Sequence, residues 1–270
     1  MITGTRKSYL ASLGCSIMLA GCSGAGTGPT GSAPVVLKVA SRAASQPAAT
    51  TTAFDVTSPE AGTFTDGANT LVLTRVALVL REIELKRADR EGLCSGDGDD
   101  DCEELELQPR LLEVPLSSGP ERSFTASVAP GRYDEIEFEI HKPEDGSGDD
   151  SDTGFLQQHP EFAGVSIRVE GSWNGEAFTF TSGVNAEQEA SLDPVLVVSE
   201  GGGETELTLF VDLSIWFADG SGSLVDPRTA NEGGSNQSLV ETNIKRSIDV
   251  FEDGDDDGRR DDDADGGSSS

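Results

Sequence analysis

The residues best suited to chemistry sit in an acidic tail. Asp253-Gly254-Asp255-Asp256-Asp257-Gly258 follows the pattern D-x-D-x-D-G, and Asp261-Asp262-Asp263-Ala264-Asp265-Gly266 repeats it. Calcium is a hard cation that takes about six to eight oxygens, and alternate carboxylates converge on one ion when a glycine allows the sharp turn. Asp253, Asp255 and Asp257 would serve the first copy, and Asp261, Asp263 and Asp265 the second. The bidentate acid that should follow is missing: Ala264 stands at its place in the first copy, and the second copy would need a residue beyond 270. Two readings stand side by side, a calcium site of roughly millimolar affinity and a low-complexity Asp/Gly tail that simply stays solvated. Calcium is thus the candidate cofactor, and no cofactor is required. Asp97, Asp99 and Asp101 share the alternate spacing but run into Cys102 rather than a glycine.

A second set of carboxylates lies along one face of a predicted strand. Glu135, Glu137, Glu139 and His141 alternate with Ile136, Phe138 and Ile140, which places the polar side chains about 7 Å apart. Such a stripe is either a metal face, the acid/base pair of a hydrolase, or a solvated exterior paired with cations such as Arg75 or Arg168. The last is the expectation. His159, before Pro160, reads as a loop histidine. G-x-S-x-G, H-E-x-x-H, G-x-x-x-x-G-K and C-x-x-C are all absent, so no catalytic residue is assigned and no enzyme is expected. Trp173 and Trp216 are the candidate sugar-stacking rings, since an indole protruding from a sheet end lies well on a pyranose face. Their plainer roles are to lid the core and to lie under a closing helix.

The start of the chain carries an address. Arg6 and Lys7 precede a short apolar stretch, Tyr9 to Met18, and then Leu19-Ala20-Gly21-Cys22, the layout of a secretory signal over residues 1–21. The L-A-G-C ending resembles the lipobox of bacterial lipoproteins. That resemblance implies cleavage before Cys22 and acylation of its thiol, and Ser23 at the next position favours the outer membrane or cell surface. Acyl chains at roughly 0.8 kcal/mol per buried CH₂ would anchor the protein. Of the 4 cysteines, Cys15 leaves with the signal and Cys22 takes the lipid. Cys94 and Cys102, closing a short Gly/Asp loop in an oxidising compartment, are expected to form a disulfide. A zinc pair is the rival, without a partnering Cys or nearby His.

Charge narrows the partners. The 270 residues hold 49 Asp+Glu against 19 Lys+Arg, a formal charge of −30, or −32 once Arg6 and Lys7 are removed. Cations this scarce cannot neutralise a run of phosphates, which excludes nucleic acid as a partner. Acidic residues cluster as six within 97–104, five within 144–152 and nine within 252–265; blocks so dense repel themselves and stay solvated. The expected layout is a signal over 1–21, a Gly/Ala/Ser/Thr-rich tether over 22–52, a folded domain over 53–251 and an acidic tail over 252–270. Val35-Val36-Leu37-Lys38-Val39, inside the tether, remains open as a first strand.

The elements that must carry these groups show a period of two. Leu207 to Phe217 alternates apolar and polar residues, as a long half-buried strand does. Asn174-Gly175 suits a type I′ turn. Counting back from it pairs Gly171 with Phe178, Val169 with Phe180 and Ile167 with Ser182 on the apolar face. Glu170 with Thr179 and Arg168 with Thr181 fall on the wet face, so the register sorts itself. Leu71 to Leu85 shifts phase near Thr74 and near Arg81, which two bulges in a long strand would explain; a helix is the competitor. Leu105 to Leu116, interrupted by Pro109, reads as two short strands or an edge strand. Ser238-Leu239-Val240-Glu241 reads as a capping box opening a helix over 238–251, with Ile244, Ile248 and Phe251 on its stripe. Asp152 to Gln158 is a short helical turn.

The fold class that follows is all-β: an antiparallel Greek-key-type sandwich with one C-terminal amphipathic helix and flanks that do not pack. The order Leu80-Arg81-Glu82-Ile83-Glu84-Leu85, Leu111-Leu112-Glu113-Val114-Pro115-Leu116, Val128-Ala129-Pro130-Gly131-Arg132-Tyr133, then the Ile136/Phe138/Ile140 strand, resembles the bacterial lipoprotein domain of unknown function 4382 over about 70–220. That resemblance implies a transthyretin-like or carbohydrate-binding-like sandwich and supplies no catalytic residues. The expected function is a lipid-anchored envelope module that binds or supports without catalysis. Its partners are the membrane through the lipid, and a carbohydrate or another envelope protein. The alternatives are calcium-dependent adhesion or polysaccharide binding, and a hydrolase using the carboxylate stripe.

Overall fold

The computed structural model describes residues 32–43, 62–88, 103–106, 108–117, 119–146 and 150–252. The signal, Cys22, the Cys94/Cys102 pair and the tail aspartates Asp253, Asp255, Asp257, Asp261, Asp263 and Asp265 lie outside these residues.

Two sheets pack face to face. The smaller one holds β1 (Ala33–Arg42), β6 (Glu121–Val128), β11 (Thr205–Asp212) and β12 (Ile248–Glu252), in the order β12-β11-β1-β6. The larger one follows the path β10 (Ala186–Val198), β7 (Gly131–Ile140), β3 (Thr70–Arg87), β8 (Ile167–Trp173), β9 (Glu176–Ser182). β2 (Thr63–Thr65), β4 (Glu103–Glu106) and β5 (Arg110–Glu113) also pair with β3. Val35, Leu37 and Val39 from one sheet meet Leu71, Val76, Leu78, Phe138 and Phe180 from the other in a single core.

β3 is the spine, and its sequence explains how. Its buried residues are Leu71 and Leu73, then Val76, Leu78 and Leu80, then Ile83 and Leu85. The inward parity therefore switches twice, where the sequence shifts phase. The breaks in pairing fall between Leu73 and Arg75 against β8, and between Arg81 and Glu84 against β7. Glu82 takes a φ of 54° at the second break, the left-handed conformation that a bulge requires and a side chain resists. The segment is a strand, not a helix.

The hairpin β8–β9 has the expected register, Gly171 opposite Phe178, Val169 opposite Phe180 and Ile167 opposite Ser182. Asn174 (φ 53°) and Gly175 (φ 85°) form its turn. Gly171 is required by a neighbouring backbone, since a Cβ there would sit 2.0 Å from the Val72 carbonyl oxygen. The outer edge of β9 is covered by one side chain: Asn231 Oδ1 accepts from the Thr181 amide at 2.9 Å, and its Nδ2 donates to the Thr179 carbonyl at 3.4 Å.

Four expectations need correction. The tether cannot reach residue 52 unbroken, because Ala33–Arg42 is a central strand, flanked by β6 and β11 and buried from Val35 to Ala40. Its pairing with β11 is parallel, and strands covered on both faces read as continuous apolar runs rather than alternating ones. The long strand Leu207–Phe217 stops at Asp212, whose side chain accepts from the Ser214 amide and turns the chain into a 3-10 turn over Leu213–Ile215. The closing helix is shorter than 238–251: α2 spans Gln237–Lys245, and Ile248 and Phe251 belong to β12. The capping box does not form, as Ser238 lies inside α2 and Asn236 precedes it. Glu241 instead accepts from the Ser182 hydroxyl at 2.8 Å and the Gln237 amide at 3.0 Å.

At the end of the sandwich bearing the β2–β3 and β8–β9 turns, Asp66 ties loops together. It accepts from the amides of Asn69 (2.7 Å), Ala68 (2.9 Å) and Leu224 (2.9 Å) and from the Asn69 side chain (3.2 Å). These donors, the Asn69 amide first, hold its carboxyl far below the usual carboxylate range. Because the folded value is depressed, this contribution is full above the ordinary 3.8 and fades as pH falls below it. Asp66→Ala is expected to lower Tm by a few degrees at neutral pH, with the gap to wild type closing as thermal scans move into acid. Gly171→Ala, which must push two backbones apart, is expected to cost about 3 kcal/mol in urea unfolding.

Candidate functional site

The carboxylate stripe is real, and the register of β3 against β7 decides its partners. Arg81 lies opposite Glu139 and Lys86 opposite Glu135. Arg81 reaches Glu139 Oε2 at 3.0 Å, and Asn185 donates to Glu139 Oε1 at 2.6 Å. Lys86 pairs with Glu137 and lies 3.8 Å from Glu135. The expected cations, Arg75 and Arg168, are elsewhere: Arg75 forks onto Glu113 at 2.6 Å and both approach Glu170. Arg168 holds the Glu170 carboxyl below its usual range. β10 adds Glu187 opposite Glu139 and Glu189 opposite Glu137. With β3 presenting Glu84 opposite Glu137, carboxylates line up across three strands, crossed by Arg81 and Lys86.

The stripe's inner end is buried beneath a flap that sequence periodicity does not show. Between β7 and β8 the chain forms α1 (Asp150–Gln158) and a 3-10 turn over Pro160–Phe162. Phe155 and Phe162 pack on Ala77 and Val79, the outward residues of β3, as a small second core. His141 clasps this flap, its Nε2 standing 2.7 Å from Asp152 Oδ1 while Asp152 Oδ2 accepts from the Glu144 amide at 3.0 Å. Glu139 is 8% exposed, His141 5% and Asp152 2%. His141 Nδ1 faces Glu139 Oε2 at 3.5 Å without a hydrogen bond. A carboxylate–imidazole–carboxylate line resembles a proton relay in outline, but a relay needs a nucleophile beside it. The nearest buried hydroxyl on this side, Ser166, is committed to the carbonyls of Ser182 and Val184 at 3.1 and 2.6 Å. The line works as a clasp.

An open cleft of about 670 Å³ lies between α1 and β5, lined among others by Gln108, Arg110, Leu111, Asp150, Phe155 and His159. His159 is a loop residue as expected, with its ring 4.8 Å from that of Phe155. Arg110 also lies over the Phe124 ring, 4.9 Å from its centre.

Neither indole is placed for stacking. Trp173 is 8% exposed and Trp216 is fully buried. Trp216 donates from Nε1 to the Ser247 hydroxyl at 2.7 Å, and Asn243 of α2 donates to its carbonyl at 3.1 Å. These are the core-lidding roles, and the sugar-stacking expectation falls because neither ring face is free. Among the described residues no group of three or more His, Cys, Asp or Glu is arranged to hold a metal ion.

No family model matches the chain, and no curated protein matches it. Among solved structures it is similar to MbnP from Methylosinus trichosporium, with 13% identity over 70% of this chain and 79% of that one and a TM-score of 0.35.

The clasp is testable through the flap it holds. Asp152→Ala strands the buried imidazole nitrogen and the Glu144 amide, each at about 1–3 kcal/mol. Hydrogen exchange is expected to speed up across residues 150–166 well before β8 and β9 lose protection; uniform loss throughout would mean that the flap is not separately held.

Proposed function

We propose that the chain is a lipid-anchored protein of the bacterial cell envelope, held in the outer membrane or at the cell surface, whose β-sandwich is a non-enzymatic binding or structural module. The observation that carries this reading is the close succession of lipobox and fold, with the strand beginning at Ala33 only eleven residues after Cys22. A short polar connection between a lipid and a central strand is what a peripheral domain carried on a membrane requires. The resemblance to domain of unknown function 4382 supports the same placement.

The non-enzymatic part rests on how the carboxylates are held. Glu135, Glu137 and Glu139 face Lys86 and Arg81 across an open sheet, whereas an acid/base pair needs a concave site that excludes water. The two D-x-D-x-D-G copies favour a second reading, calcium-dependent adhesion or polysaccharide binding, in which tail carboxylates rather than indoles would engage the ligand.

Metabolic labelling with a fatty acid tests the anchor. Wild type is expected to take up label and to sediment with membranes, while Cys22→Ala loses the label and moves to the soluble fraction. An unlabelled, soluble wild type would overturn the reading.

A further inference from the structure

Strand register gathers three points of the chain at one pole of the sandwich. In the smaller sheet Ala33 lies opposite Val128, Val35 beside Thr205, and Leu207 opposite Glu252. A short turn carries Val128 to Gly131, closed by the Tyr133 hydroxyl donating to the Ala129 carbonyl at 2.8 Å. In the larger sheet Gly131 pairs with Val198 and Tyr133 with Arg87, and the Ala88 amide donates to the Arg132 carbonyl at 2.9 Å. The start of β1, the end of β3 and the end of β12 therefore share this pole.

Each point leads to a sequence feature of its own. Backward from Ala33, Cys22 is eleven residues away, a contour of at most about 40 Å. Forward from Arg87 comes the acidic block at 97–104, and forward from Glu252 the block at 252–265. Together these blocks hold fifteen of the twenty clustered carboxylates, with Arg259 and Arg260 as the only bases inside them. The pole itself adds Glu200 and Glu204 against Arg87, Arg122 and Arg132. Arg87 is engaged over the Tyr133 ring and Arg122 with Glu204 at 2.7 Å. The third block, within 144–152, follows the other end of β7, nine residues from Gly131, or about 30 Å at strand rise. The acidic load is thus concentrated on the side of the anchor.

We infer that this pole faces the membrane and that its carboxylates hold the sandwich off an anionic leaflet, so that ionic strength and lipid charge set the height of the domain. The inference rests on the lipid-anchor reading. Its physics is a matter of lengths: the screening distance is about 8 Å at physiological salt and about 30 Å in dilute buffer, the same range as the reach of the connecting segment. The opposite pole, where Asp66, Asn174 and Asp219 pin the turns, is then the one displayed to partners.

Neutron reflectometry on bilayers carrying the full mature chain reads this height. To separate it from cellular acylation, a lipidated peptide is ligated at residue 22 in vitro, so a failure of the anchor in cells sinks only the preceding proposal. With phosphatidylglycerol in the bilayer, the protein layer is expected to stand about 10–20 Å farther out at low salt than at high salt. On pure phosphatidylcholine the shift should shrink severalfold, as it should in a chain with Asp253, Asp255, Asp256 and Asp257 all replaced by Asn. A height indifferent to salt and lipid charge, or an identical shift in the neutralised chain, overturns the inference.

Discussion

The constraint on which the rest depends is that one strand must keep an apolar edge toward the core along eighteen residues while sheet twist carries it around. β3 meets this by changing parity twice, with a bulge after Leu73 and another at Glu82. Each bulge resets which side chains point inward, so that Leu71, Val76 and Ile83 all reach one core although no single alternation joins them. β7 and β8 then divide the length of β3 between them, and the connection from one to the other becomes the flap. Core, stripe and flap are all consequences of how this strand is phased.

Charge is arranged around that spine with little left to act on a substrate. Arg81 and Lys86 emerge from the same stretch that carries the second bulge, and they meet the acidic face of β7 because the break in register brings them there. The clasp at His141 closes the inner end of this face, while its outer end is open to solvent across β10. An enzyme concentrates strained and desolvated groups within a cleft. Here the desolvated groups fasten a helix to a sheet.

Much of the fold was legible because half-buried antiparallel pairs write a period of two. The hairpin at Asn174-Gly175 could be registered residue by residue, and both phase shifts of β3 are visible in Leu71 to Leu85. β1 was harder, because a strand lying between two others and covered on both faces has no alternation to show and Val35 to Ala40 is simply apolar. The end of the chain misled for a related reason: Ile244, Ile248 and Phe251 fit a helical stripe, yet Ser247 closes the helix by donating to the Ile244 carbonyl and the next residues pair with β11. Of the candidate site, the stripe was legible and its partners were not, since cross-strand neighbours depend on a register that bulges alter. The His141–Asp152 contact spans eleven residues without a motif; the apolar pair Phe155 and Phe162 was the one hint that something packs there.

The amide of Asn231 occupies the bonding positions that another strand would take along β9. Open edges are where sheets recruit further chains, and a protein tied to a surface meets its copies at far higher local density than one free in solution. One asparagine thus acts as a stopper against runaway polymerisation on that flank, and crowding in two dimensions can rise without turning neighbours into a fibre.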